Sequence, residues 1–309
     1  VLVGAAPSFP AGVTVEPGGT WIQPYLMWKG GDDPNNSGYW SDPDNWYGGV
    51  VPGPDDSVYL TVPTGIGNSG TTTRTVVVDT ATSIRELRMG TTLSPYESVL
   101  QIDANLTVTD VLAAQRAKIM IGEGATFSLI SLPQDGPIIT GPGNVVSTGN
   151  CARYDYLGAN GSRTFTGTWM IQSGTVKVVS NELMNATVVV EAGATLEQGY
   201  SHFGQNYEPA RHLYLNGGRL LFDEVDQEWS APTEPTMPIT LGDGTMSTIE
   251  VRSFHGIRTL IMKGVIDGGG GFTKTGPEKM MLAATSTYSG ETVVAQGTLE
   301  VSGFLLNSH

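Results

Sequence analysis

Three scarcities narrow what this 309-residue chain can be. It has one cysteine, Cys151, so no internal disulfide is possible. A chain of this length can build a core large enough to do without one, and a buried, inert thiol is the expectation for Cys151. Charged residues make up only 15% of the sequence, against about 25% in an ordinary soluble domain. Bases are scarcest: 16 Lys and Arg face 30 Asp and Glu, for a net charge of −14. A chain so poor in Lys and Glu lacks the material of long helices, which excludes an all-α fold and argues against a helix-on-sheet enzyme. The shortage of bases also argues against a nucleic-acid partner, whose backbone needs clustered Lys and Arg. No apolar run reaches the ~18 residues of a membrane span. The chain opens Val1-Leu-Val-Gly-Ala-Ala rather than on Met, which reads as a mature terminus after signal removal or as a trimmed start.

What is present in excess is turn-forming and strand-forming material. Glycine supplies 41 residues and proline 18, while 39% of the chain is apolar, enough for a core and too much for disorder. Short runs with Val, Ile, Leu, Met or Thr at two-residue spacing recur from Thr75–Asp79 to Thr292–Val301, the strand signature. Several are near-copies. Ala117-Lys-Ile-Met-Ile-Gly-Glu-Gly-Ala-Thr-Phe127 matches Ala186-Thr-Val-Val-Val-Glu-Ala-Gly-Ala-Thr-Leu196, and Glu291–Val301 and His212–Phe222 repeat the theme. Each reads strand, small glycine corner, strand. Such corners bend a chain more readily than they reverse it. A bend at each corner builds a coil, and stacked coils build a parallel β-solenoid. At roughly 20–25 residues per turn there would be about twelve coils, in a stack roughly 55–60 Å long at ~4.8 Å per rung. The competing arrangement is a β-sandwich of antiparallel meanders.

The first seventy residues differ. They hold four of the six tryptophans, Trp21, Trp28, Trp40 and Trp46, and the clusters Asp32-Asp-Pro-Asn-Asn36, Ser41-Asp-Pro-Asp-Asn45 and Pro52-Gly-Pro-Asp-Asp56. A solenoid end exposes an unpaired edge and an open core that must be covered. The expected organisation is therefore an aromatic-rich cap and leading segment over residues 1–70 and a parallel β-helix over 71–309. The other end, Phe304-Leu-Leu-Asn-Ser-His309, carries no such device, so a longer parent chain or a partner is expected to cover it.

Specific motifs join these features. Asp267-Gly-Gly-Gly-Gly-Phe-Thr-Lys-Thr-Gly276, followed by Met281-Leu-Ala-Ala-Thr-Ser-Thr-Tyr-Ser-Gly-Glu-Thr-Val-Val-Ala-Gln-Gly-Thr-Leu299, resembles the autotransporter-associated β-strand repeat. Arg163–Val176 is a degenerate copy. Tyr39-Trp-Ser-Asp-Pro-Asp-Asn-Trp46, with Pro52 and Asp55-Asp-Ser-Val-Tyr59, is similar to the segment that precedes such repeats in large bacterial surface proteins. The resemblance covers about 35 residues near the C-terminal end and about 20 near the start. It implies an extracellular right-handed β-helix and carries over no catalytic residue. Where the repeat has an acidic or glycine pair after Lys-Thr-Gly, this chain has Pro277-Glu278-Lys279, so that corner is redrawn.

Three constellations can carry chemistry. Asp32 and Asp33, or Asp42 and Asp44, with neighbouring asparagines, can offer oxygen ligands to Ca²⁺; the plainer reading is that Asp-Pro loops bond their own backbone. Trp28, Trp40 and Trp46 can stack on sugar rings, or plug the end of the solenoid. The stretch Gln198–Trp229 breaks the repeat and holds Tyr200, His202, Arg211, His212, Tyr214, Arg219, Asp223 and Asp226. A β-helical polysaccharide lyase needs a cation for the uronate carboxylate, a base for the C5 proton and an acid for the leaving oxygen. Arg211 or Arg219, His202 or His212, and Tyr200 fit those roles. A glycoside hydrolase would draw on Asp223, Asp226 or Glu208. The plain alternative is a solvated insertion, and the net negative charge disfavours anionic polysaccharide. No phosphate loop, dinucleotide fingerprint, zinc spacing or nucleophile elbow is present. The expectation is thus a secreted, non-catalytic structural or adhesive β-solenoid that can assemble head-to-tail into a fibre, with a carbohydrate-active enzyme or a sugar-binding module as alternatives.

Overall fold

A computed structural model of the chain describes residues 25–29, 37–60, 73–90, 97–113, 117–132, 136–153, 164–178, 183–198, 210–223, 234–252 and 259–306. One long sheet of eleven strands runs its length: Leu26–Met27, Ser57–Leu60, Thr82–Met89, Leu106–Ala113, Thr126–Ser131, Asn144–Ser147, Thr168–Ile171, Thr187–Glu191, His212–Asn216, Ile239–Leu241 and Ile266–Gly268. Between consecutive members the chain visits two further walls. A five-stranded sheet from Gly38–Tyr39 to Ile138–Thr140 precedes the long sheet in each early winding, and a seven-stranded sheet from Cys151–Arg153 to Thr292–Val294 follows it in the later ones, so that Ile138–Thr140, Asn144–Ser147 and Cys151–Arg153 visit all three sheets in succession. A three-stranded sheet, Thr259–Met262, Lys279–Leu282 and Thr298–Val301, follows strands of the seven-stranded sheet near the end. Every ladder between these strands is parallel. Parallel neighbours separated by an intervening strand are successive windings of a coil, so the fold is a parallel β-helix and the sandwich is excluded.

The winding is uneven. From Phe127 to its partner Val145 is 18 residues, and from Leu26 to its partner Val58 is 32. The surplus in longer coils goes to the corners, because a strand's length is set by the sheet it joins. Gly193 shows how a corner works. It sits at φ +83°, with nothing near the position of a Cβ, so glycine is needed there for conformation alone. It turns the chain from Thr187–Glu191 of the long sheet into Ala194–Gln198 of the seven-stranded sheet.

Alternation along each strand sends every second side chain inward, and register stacks those side chains into columns. Leu106, Phe127, Val145, Trp169, Val188, Leu213, Ile239 and Ile266 form one such column on the long sheet, all buried. Each contributes on the order of 1.5–3 kcal/mol of transfer free energy. The Trp169 indole N–H, buried among them, donates to Ser147 Oγ at 3.0 Å.

The Trp-rich segment is woven into the first windings. Leu26–Met27 pairs with Ser57–Leu60, which pairs in turn with Thr82–Met89, so the ladder runs across residue 70. Trp28, Trp40 and Trp46 pack edge to face, with centroids 4.8–4.9 Å apart, and the Trp46 indole N–H donates to the Trp40 carbonyl at 2.9 Å. Ser41 ties this segment to the next strand, donating its N–H and hydroxyl to the Asp79 carboxylate at 3.0 and 2.6 Å. At the other end the columns run out. Met262 and Leu282 are buried but Val301 below them is exposed, as are Val294, Phe304 and Leu306.

Candidate functional site

The long sheet's outer face gathers the chemically richest group of side chains. His212 and Tyr214 both point outward from one strand, and their rings stack with centroids 4.4 Å apart and planes 10° from parallel. In the next coil Thr240 lies opposite Tyr214, and in the coil after that Asp267 lies opposite Thr240. These residues are bonded in series: His212 Nε2 is 2.9 Å from Thr240 Oγ1, which donates to Asp267 Oδ1 at 2.6 Å. A threonine hydroxyl has one proton and an ionised carboxylate only accepts. With that proton given to Asp267, Thr240 must accept from His212. The imidazole is therefore protonated at Nε2, and in its neutral form Nδ1 is left as the acceptor. One coil earlier, Thr187 pairs with His212 in the ladder and accepts from Arg211 Nη2 at 3.2 Å. Beyond Tyr214 on the same strand, Asn216 donates to Glu191 Oε1 at 3.1 Å.

Of the residues anticipated for chemistry, Arg211 and His212 thus lie together on this face. Tyr200 and His202 fall outside the described residues, as do Asp32 and Asp33. Asp42 caps the short 3₁₀ turn Pro43–Asn45, accepting from the Asp44 N–H at 3.0 Å; this is the self-bonding turn chemistry of Asp-Pro loops. Among the described residues no group of three His, Cys, Asp or Glu side chains is placed to hold a metal ion. The sugar-stacking assignment of Trp28, Trp40 and Trp46 needs correction. Their exposures are 2, 1 and 2%, and the edge-to-face packing that buries them leaves no ring face for a pyranose. The thiol of Cys151 is buried.

Sequence reasoning did not single out Thr240 and Asp267 as site residues, because they meet His212 only through coil lengths of 26 and 27 residues. Aligning the coils on their corner glycines would have placed the three side by side. It also missed what the lysine of Lys-Thr-Gly does. Lys274 occupies an inward position between Ile249 and Val294 and is fully buried. Its ammonium donates to the carbonyls of Thr275, Gly276 and Gln296 at 2.9, 2.8 and 3.0 Å. The first two belong to its own corner and the third to the next coil, so the side chain fastens consecutive windings. Burial pushes its pKa below the ordinary lysine value, partly offset by the charges of Glu278 and Glu250. At this corner Gly276 is required for space, since a Cβ would lie 2.1 Å from the Val251 carbonyl oxygen.

Glu250 anchors an ion cluster on the outer face of the seven-stranded sheet. Arg219 approaches one carboxylate oxygen at 2.5 Å, and Arg252 pairs with the other. Burial alone would raise the Glu250 pKa, but the hydrogen bonds and charges of the two guanidinium groups outweigh it and hold the carboxyl below its usual range.

No helix among the described residues is long and apolar enough to cross a membrane. No curated protein and no solved structure matches the chain. Residues 272–301, running from the strand that carries Lys274 through the winding it fastens, match the model of the passenger-associated-transport repeat.

Proposed function

We propose that this chain is a secreted or surface-displayed β-solenoid of the autotransporter-passenger type, with a non-catalytic structural and adhesive role. The observation that carries the reading is the passenger-associated-transport repeat at 272–301, seated as two fastened windings at the end of one continuous stack. Ten parallel ladders over a buried column make a stiff rod, and backbone paired in this way resists proteases. Protease shaving of intact cells that produce the protein, with antibody detection before and after, tests the location. Antibody binding to intact cells or to the medium, lost on shaving, supports it; antigen seen only after lysis contradicts it. End-to-end self-assembly is the fibre form of the same reading, and the exposed Val301, Phe304 and Leu306 of the last described winding are apolar groups that such a contact would cover. Sedimentation velocity at rising concentration tests it: growing species support it, and a monomer throughout removes it.

An enzymatic reading keeps one supporting observation, the convergence of Arg211, His212 and Tyr214 on a single face. There the guanidinium would neutralise a uronate, the imidazole would take a proton, and the phenol would protonate the leaving oxygen. Ultraviolet absorbance from unsaturated products on a polyuronate panel supports a lyase; a flat trace removes it.

A further inference from the structure

We infer that the outer face of the long sheet around Tyr214 is a glycan-binding site, built for a neutral hexopyranose within an oligosaccharide. The inference deepens the surface-passenger reading by naming a ligand class, and rests on that reading only for its biological use.

Side chains two apart on a strand point the same way and stand about 7 Å apart at the backbone. His212 and Tyr214 close that gap to a 4.4 Å stack with nearly parallel planes. One face of the phenol is therefore covered by imidazole, and its other face looks along the strand toward Asn216. Tyr214 remains 37% exposed, so solvent, and a ligand, can reach the ring. An electron-rich aromatic face attracts the C–H side of a pyranose, while the hydroxyls around the sugar's rim need planar hydrogen-bonding groups beside the ring. The Asn216 amide and the Glu191 carboxylate, already bonded to each other at 3.1 Å, stand at that edge and keep acceptor positions to spare.

The platform is held in advance. The imidazole that backs Tyr214 is fixed by Thr240, which is fixed by Asp267, so binding need not order either ring. Two further windings continue the surface. Val189 and Met170 precede Tyr214 in its outward column, and Thr187 and Thr168 precede His212 in the neighbouring one. An apolar strip thus runs beside a polar one, which suits an extended oligosaccharide more than a single sugar. The charges select against an acidic chain: Glu191 and Asp267 outnumber Arg211, whose guanidinium is bonded to Thr187, within a protein of net charge −14.

The test is isothermal titration of the purified chain with maltohexaose, cellohexaose, laminarihexaose and chitohexaose, and with trigalacturonate as the acidic comparison. At least one neutral oligosaccharide is expected to bind. Tyr214→Ala should weaken it about tenfold or more, the loss of roughly 1.4 kcal/mol of stacking, while Tyr214→Phe stays within about threefold because it keeps the ring. Tyr39→Ala, an exposed tyrosine on the five-stranded sheet, should bind as the wild type. Because Tyr214 points away from the core, an unchanged melting curve will show that the variants are folded. The inference is overturned if no neutral oligosaccharide binds, if Tyr214→Ala binds as well as the wild type, or if trigalacturonate is preferred. A protein found on the cell surface that binds none of the four sugars would remove this site and leave the passenger reading intact.

Discussion

Replacing Lys274 by methionine keeps the length and apolar stem of the side chain and deletes only its ammonium. Three carbonyls then lose their donor: those of Thr275 and Gly276 at the corner, and that of Gln296 in the next winding. A buried acceptor left without a partner costs about 1–3 kcal/mol, and that applies in full to the Gly276 carbonyl; the bonds to Thr275 and Gln296 are partly buried, and water can replace part of each. Against one full and two partial losses stands one gain, since the buried ammonium is itself penalised by desolvation, and methionine carries no such penalty. The net expectation is a loss of about 1–3 kcal/mol. The damage should be local. Ala295 N–H donates to the Lys274 carbonyl at 2.9 Å, so the strand Thr292–Val294 and its corner should exchange amide hydrogens faster than the long sheet. Denaturant unfolding gives the global figure and mass-resolved hydrogen exchange gives the distribution. A Lys274→Met protein within about 0.5 kcal/mol of wild type, the scatter of an ordinary surface substitution, with unchanged exchange over 292–301, would refute the idea that this lysine fastens consecutive windings.

Other substitutions probe other links of the argument. Gly193→Ala meets no steric obstacle and should cost about 1–2 kcal/mol for its left-handed backbone alone. Gly276→Ala, driven against the Val251 carbonyl, should cost distinctly more, and equal losses in denaturant midpoints would refute the distinction between conformation and space. Trp169→Ala should cost about 3–5 kcal/mol by opening the central column, read by thermal unfolding. Glu250 has a folded pKa below its unfolded value, so the stability it contributes is present above about pH 4.5, its ordinary value, and is lost as pH falls through the folded pKa. Glu250→Gln should accordingly be about 1 kcal/mol less stable than wild type at pH 7, the modest scale of a partly exposed cluster. That gap should close in acid, and a gap that stays constant from pH 7 to pH 3 would contradict the assignment.

The parallel β-helix was legible because its information is local. Two-residue alternation marked the strands, and corners such as Ala192-Gly193 marked the bends, each within a dozen residues. The Lys-Thr-Gly and Thr-Tyr-x-Gly motifs marked the passenger repeat for the same reason. The Trp-rich segment was legible as unusual, but Leu26–Met27 is too short for its alternation to reveal a first rung. The outer-face cluster was legible only in part. His212 and Arg211 stand out by residue type, whereas Thr240 and Asp267 are ordinary residues whose meaning comes from register. Register depends on coil lengths that vary between 18 and 32 residues along the long sheet and reach 38 on the five-stranded one, and composition does not set them. The three tryptophans show the converse error. Aromatic rings near Asp and Asn suggest a sugar site by type, but only packing decides whether a ring face meets water.

The coil itself is most directly tested by electron–electron distances between spin labels along one outward column. With Cys151 replaced by alanine, labels are placed in pairs at Ser128 with Tyr214, Ser128 with Asp267, and Thr107 with Asp267. These pairs lie four, six and seven rungs apart. At about 4.8 Å per rung the backbone separations should be about 19, 29 and 34 Å, rising linearly with rung number. Distances that fail to rise with rung number, or that place Ser128 and Asp267 closer together than Ser128 and Tyr214, would contradict a chain that winds forward along one axis.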